Sequence, residues 1–180
     1  MTLPVHADII LRNYQEEDAA QLFAAVEENR AHLRPWLIWV DGTRKMAHSL
    51  EYIRNARQEQ YNQQSIAFGI FRNDRLIGGL GMHQWDQRLR KAQIGYWLVA
   101  SEVGNGTMTR CIAVLLDYLF GQLELNKVEL HYLPANTRSA AVAERLGFGI
   151  EGILRDSFLM NGTLHDLVVA GLLKKEYKSV

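Results

Sequence analysis

The chain has 180 residues, 48% hydrophobic and 22% charged, enough to bury one substantial core without staples. Its 20 basic and 20 acidic side chains cancel, which argues against nucleic-acid binding, and no stretch approaches the roughly 20 apolar residues of a membrane span. A lone cysteine, Cys111, excludes an internal disulfide, and without an apolar leader segment the expected location is the cytoplasm.

In chain order, Asp8 to Arg12 reads as a first strand. A helix follows, because Ala19, Leu22, Phe23 and Val26 recur at helical spacing. An aromatic stretch from Leu33 to Trp39, interrupted by Pro35, precedes a weaker helical pattern from about Ala47 to Tyr61. Ile66, Phe68 and Ile70 alternate with their neighbours as a strand does. A polar turn at Asn73-Asp74 returns the chain as the partner strand Leu76 to Met82. The basic run Arg88-Leu89-Arg90-Lys91 reads as a solvated loop, and Ile94 to Val99 as the next strand.

The clearest helix comes next: Met108, Cys111, Ile112, Leu115, Leu116 and Leu119 make one continuous apolar stripe. Strand Lys127 to Tyr132 and a short helix from Thr137 to about Leu146, stopped at Gly147, lead to a C-terminal hairpin. Its arms, Ile150 to Met160 and Leu164 to Leu173, are joined at Asn161-Gly162, a favoured type I′ pair. No linker or repeat divides the chain, so residues 1–180 are expected to form one α/β domain. Strands alternate with helices and also pair as hairpins, so the sheet should be mixed.

The chemistry-bearing segment is Val103-Gly104-Asn105-Gly106-Thr107-Met108-Thr109, between a strand and the long helix. Glycines let backbone amides approach a ligand, and a helix N-terminus adds unpaired N–H groups and the positive end of its dipole. Together they suit a phosphate or pyrophosphate, with Thr107 and Thr109 as extra donors; the plainer alternative is a tight turn needing glycine for geometry alone. A Walker A loop is absent, and the dinucleotide fingerprint fails at Thr109, where its third glycine should stand.

This segment resembles the acetyl-CoA-binding motif of the GNAT acetyltransferases, and more closely that of the branch containing ribosomal-protein N-terminal acetyltransferases. The resemblance runs along nearly the whole chain. It includes Leu11-Arg12, Arg34-Pro35-Trp36-Leu37, Ile94-Gly95-Tyr96-Trp97-Leu98, Asn136-Thr137-Arg138-Ser139, Arg145-Leu146-Gly147-Phe148 and His165-Asp166. It implies a mixed, mostly antiparallel central sheet flanked by helices, with acetyl-CoA as cofactor. It also implies that Trp97, Leu98 and Val99 hold the pantetheine arm, with amides near Leu98 and Val99 steadying an oxyanion. Gly104, Asn105, Gly106, Thr107, Met108 and Thr109 would hold the pyrophosphate, and Asn136 the arm. Dimers are common among relatives, so a homodimer is one alternative, and the sequence leaves the oligomeric state open.

On the same resemblance, Ser139 lies near the thioester sulfur and protonates the leaving thiolate, or else merely caps its helix. Asp86 is the first choice of base and Glu151 the second, with His83 assisting. Trp36, Trp39, Trp85 and Tyr132 would wall the acceptor channel. Cys111 sits on the apolar stripe and is expected to pack rather than react, and no close metal-ligand spacing is present. Three positions depart from common patterns. Val103 removes a side-chain donor at the loop, Ala143 replaces a tyrosine acid, and Tyr132 replaces a small cysteine. The acceptor is expected to be the N-terminal amine of a protein, with a ribosomal protein as one candidate. A small amine, or a binding module with little catalysis, are the alternatives.

Overall fold

The computed structural model describes residues 1–178. Eight strands form one sheet: β1 (Thr2–His6), β2 (Ile9–Asn13), β3 (Ile66–Arg72), β4 (Arg75–Asp86), β5 (Lys91–Leu98), β6 (Lys127–Tyr132), β7 (Gly149–Met160) and β8 (Thr163–Leu173). The helices are α1 (Ala19–Glu28), α2 (Arg30–Leu33), α3 (Met46–Tyr61), α4 (Thr107–Gly121) and α5 (Thr137–Arg145). The spatial order is β1-β2-β3-β4-β5-β6-β8-β7. Every neighbouring pair is antiparallel except β5 with β6. A parallel pair needs a long crossover, and α4 supplies it.

The expected elements appear, with shifted ends. Asp8 to Arg12 corresponds to β2, which is the second strand rather than the first. The true first strand escaped notice because Pro4 and His6 break its apolar run, as an edge strand tolerates. β5 begins at Lys91, so only Arg88 to Arg90 of the basic run lie in a turn. α5 ends at Gly147 (φ 81°) in a paired closure: the Phe148 amide donates to Ala143 O and the Gly147 amide to Glu144 O. The hairpin turn has positive φ at both Asn161 (52°) and Gly162 (78°), as a type I′ turn requires.

The α4 stripe is the centre of the core, with Cys111, Ile112, Leu115, Leu116 and Leu119 all fully buried. Facing positions of the sheet, among them Leu11, Phe68, Ile70, Ile94 and Val128, complete it. α1 and α3 pack together against β3 and β4, while α4 and α5 pack against each other at the crossover. These two helix pairs create the spaces described next.

Candidate active site

The mouth of α4 is built by two left-handed glycines. Gly104 has φ 92°, and Gly106, the N-cap, has φ 70°. No side chain caps α4, and its ladder opens with the Arg110 amide on Gly106 O at 3.1 Å. The preceding amides, Thr107 to Thr109, have no place in that ladder and carry the helix's partial positive charge. Thr107 is 1% exposed, yet its Oγ1 has no hydrogen-bond partner among the described residues. A buried hydroxyl without a partner costs about 1–3 kcal/mol unless a ligand satisfies it.

This mouth opens on a cleft of about 770 Å³. Its walls include Trp36, Leu37, Tyr96, Gly104, Gly106, Tyr132 and Asn136, with Arg110, Arg138 and Arg145 as cations. Its one carboxylate, Glu102, is paired with Arg72 at 3.0 Å. Free amides, an orphaned hydroxyl and unpaired positive charge fit a phosphorylated ligand such as coenzyme A, and nothing would crowd a Cβ at Gly104.

A second cavity of about 730 Å³ lies between α1, α3 and the sheet. The two share only Leu37, Gly95, Tyr96 and Trp97, so the C-terminal half of β5 is the neck between them. β5 and β6 are registered only from Lys91/Lys127 to Ile94/Leu130. Beyond that they part. The Val99 amide donates to Ile77 O on β4 at 2.9 Å. Because amides alternate sides along an antiparallel strand, the Leu98 N–H faces the opening toward β6.

At the edge of that opening, Asn136 caps α5 by accepting from the Ser139 amide (3.1 Å). The Tyr96 hydroxyl donates to Ser139 Oγ at 3.1 Å. Burial pushes the Tyr96 phenol up to about 12, so it stays protonated.

The sequence-derived candidates divide accordingly. Trp97, Leu98, Gly104, Gly106, Thr107, Met108, Thr109, Asn136, Ser139, Trp36 and Tyr132 all line the first cleft, and Trp39 lines the second cavity. The structure does not bring the rest to either lining. Asn105 turns outward, its carbonyl accepting from Arg110 Nη2 (3.0 Å). Val99 spends its amide on Ile77, so it offers no oxyanion donor. Asp86 closes the β4–β5 turn by accepting from the Leu89 amide at 2.8 Å. Glu151 binds Lys127 at 2.5 Å on the sheet's far side strands. Trp85 packs against the core margin.

Sequence reasoning missed the second cavity's polar groups. Ser49 is 2% exposed, with an unpartnered Oγ. Glu59 accepts from Ser65 Oγ (2.7 Å), and its charge acts on both Tyr52 and His83. His83, named only as an assistant, lines this cavity.

A helix mouth suited to phosphate, a splayed strand and a second cavity meeting the first at that strand are an arrangement that suits a group-transfer enzyme. Residues 8–149 match the acetyltransferase (GNAT) domain family. The chain is 35% identical over 178 residues to a Bacillus subtilis (strain 168) protein provisionally named ribosomal N-acetyltransferase YdaF, covering 98% of this chain and 97% of that one. Its structure superposes with a TM-score of 0.93 on a crystal structure described as a "Probable acetyltransferase" (34% identity; 98% and 99% covered). It also superposes, with a TM-score of 0.89, on Mycobacterium smegmatis RimJ in complex with a CoA-disulfide (27% identity; 98% and 87% covered). The chain belongs to the GNAT family and is an N-acetyltransferase whose donor is acetyl-CoA.

Proposed function

We propose that this enzyme acetylates the N-terminal α-amine of a protein, with a ribosomal protein as the first candidate. The observation that carries this reading is the neck at Gly95 to Trp97, where a cleft suited to coenzyme A meets a separate cavity suited to an acceptor. The likeness to a relative named as a ribosomal N-acetyltransferase supports the acceptor class.

Amine chemistry supports it too. An α-amine with a pKa near 8 is roughly a tenth neutral at pH 7, whereas a lysine near 10.4 is neutral in only about 0.04% of molecules. An α-amine therefore needs only mild assistance.

Acetyl-CoA supplies an activated acetyl thioester. The amides of Thr107 to Thr109 and the Thr107 hydroxyl hold its pyrophosphate, with Arg110, Arg138 and Arg145 balancing phosphate charge. The Leu98 N–H polarises the thioester carbonyl from the splay between β5 and β6. Ser139 Oγ accepts from Tyr96, which leaves its own hydrogen free to donate to the departing sulfur. Asn136 fixes Ser139 through the helix cap, and Trp39 and Trp97, in edge contact at 6.1 Å, wall the acceptor side.

Intact-mass analysis after incubation with acetyl-CoA tests the acceptor. The panel holds peptides with free N-termini, the same peptides N-terminally blocked but bearing lysine, and small amines. Free N-termini should gain one acetyl group and blocked peptides none. Modification confined to lysine or to small amines contradicts the proposal.

A further inference from the structure

The structure assigns the acceptor's proton to His83: we propose that its imidazole takes up the proton that the attacking amine releases. This rests on the amine-acetylation reading above and adds the group that completes it.

The placement carries the argument. A Cβ built on Gly95 would meet His83 Nε2 at 3.4 Å, so the ring nitrogen lies over Gly95. Gly95 is one of four residues common to both cavities. His83 Nε2 therefore sits beside the neck where an amine from the acceptor cavity must meet an acetyl group from the cofactor cleft. The bare glycine keeps that space open. A bulge aids the aim: register between β4 and β5 shifts after His83, and Gln84 adopts φ 50°.

The surroundings suit a proton acceptor. Gln93 pairs across from His83 on β5. From α3, Glu59 faces it electrostatically, and His48 and Tyr52 share its cavity. From β6, His131 faces it, and His131 Nε2 lies 3.4 Å from Glu129 Oε2. Although part of the side chain meets solvent, burial of the ring and the neighbouring His131 hold His83 below the ordinary 6.5, with Glu59 opposing them. The imidazole is neutral at pH 7 and free to accept.

The step balances. The amine nitrogen forms a bond to the acetyl carbon as the carbon–sulfur bond breaks, its proton passes to His83, and the departing thiolate takes the Ser139 hydroxyl proton, which Ser139 regains from solvent. His83 then returns its proton to solvent through the open acceptor cavity.

Two measurements test this. In the free protein, NMR titration of His83 should move in opposite directions in two variants. His131→Gln removes a lowering charge and raises the midpoint, whereas Glu59→Gln removes a raising one and lowers it. In turnover, wild-type kcat/KM should fall as pH drops through the His83 midpoint, with the limb following the same two shifts. His83→Gln should lower kcat about a hundredfold and abolish that limb, while calorimetric affinity for coenzyme A stays within about threefold.

Should His83→Gln keep kcat within about threefold, or the limb stay fixed in both neighbour variants, the proposal is overturned. If wild type itself acetylates no amine, it is the preceding reading that fails. A His83→Gln protein that does not fold leaves the two neighbour variants to decide.

Discussion

Cys111 and Thr107 lie one helical turn apart on α4 and have opposite fates. The Cys111 thiol is fully buried in the core, and burial pushes it up to about 12, so thiolate is scarce at neutral pH. Cys111→Ala should therefore leave kcat for acetyl transfer within about twofold of wild type, measured by release of free coenzyme A; a drop beyond tenfold would make the thiol a participant. Thr107 is equally buried, but its hydroxyl is unpaired and sits at the helix mouth. Cys111 was legible from the apolar stripe of α4, and Thr107 from the glycine-bearing loop that opens the helix. Asp86 was not. The family resemblance suggested it as a base, but an aspartate three residues before a turn amide is placed to accept from that amide, as Asp86 does from Leu89. Glu59 was illegible for the converse reason, since on an otherwise polar helix nothing marks which carboxylate borders a cavity.

At the scale of elements, periodicity found what packs against one neighbour and missed what depends on several. α4 was plain because its stripe faces the sheet over its full length, β3 because its apolar residues alternate, and β4 because the Asn73-Asp74 turn returns the chain beside it. β1 was hidden by its edge position, where one partner strand suffices and a proline is tolerated. The splay between β5 and β6 was not legible in the residues, because strand separation leaves no local pattern in either strand. Leu115 tests the weight of the stripe. It is fully buried at the middle of α4, so Leu115→Ala should cost about 2–5 kcal/mol by removing contacts and leaving a cavity. Denaturant unfolding reads this directly; a loss below about 1 kcal/mol would mean α4 is less central than its burial indicates.

For the whole molecule, the active site exists because two helix pairs leave space where the sheet opens. The cofactor cleft draws on residues from His32 to Arg145, and the acceptor cavity on residues from Leu22 to Phe158. Much of the first cleft's lining was readable because it is nearly consecutive in sequence, from Gly104 to Thr109. The acceptor side was not, because Ser49, Glu59, His83 and Phe158 converge only through the fold. The division has a physical cause. In the proposed reading, pyrophosphate is held by backbone amides whose geometry a short glycine-bearing loop encodes, whereas the acceptor wall is a surface assembled from distant segments.

The central claim is that backbone amides at the mouth of α4 hold the diphosphate of coenzyme A. Isothermal titration of coenzyme A into wild type and Gly106→Val, with thermal unfolding of both, tests it most directly. At φ 70°, valine is strained by roughly 1–2 kcal/mol, and its Cβ would meet Arg110 Nη1 at 3.3 Å in the cradle itself. Wild type should bind with saturable heat, and the variant should lose at least tenfold in affinity while still unfolding cooperatively. Equal affinities for the two folded proteins, or no heat from wild type, would contradict the account.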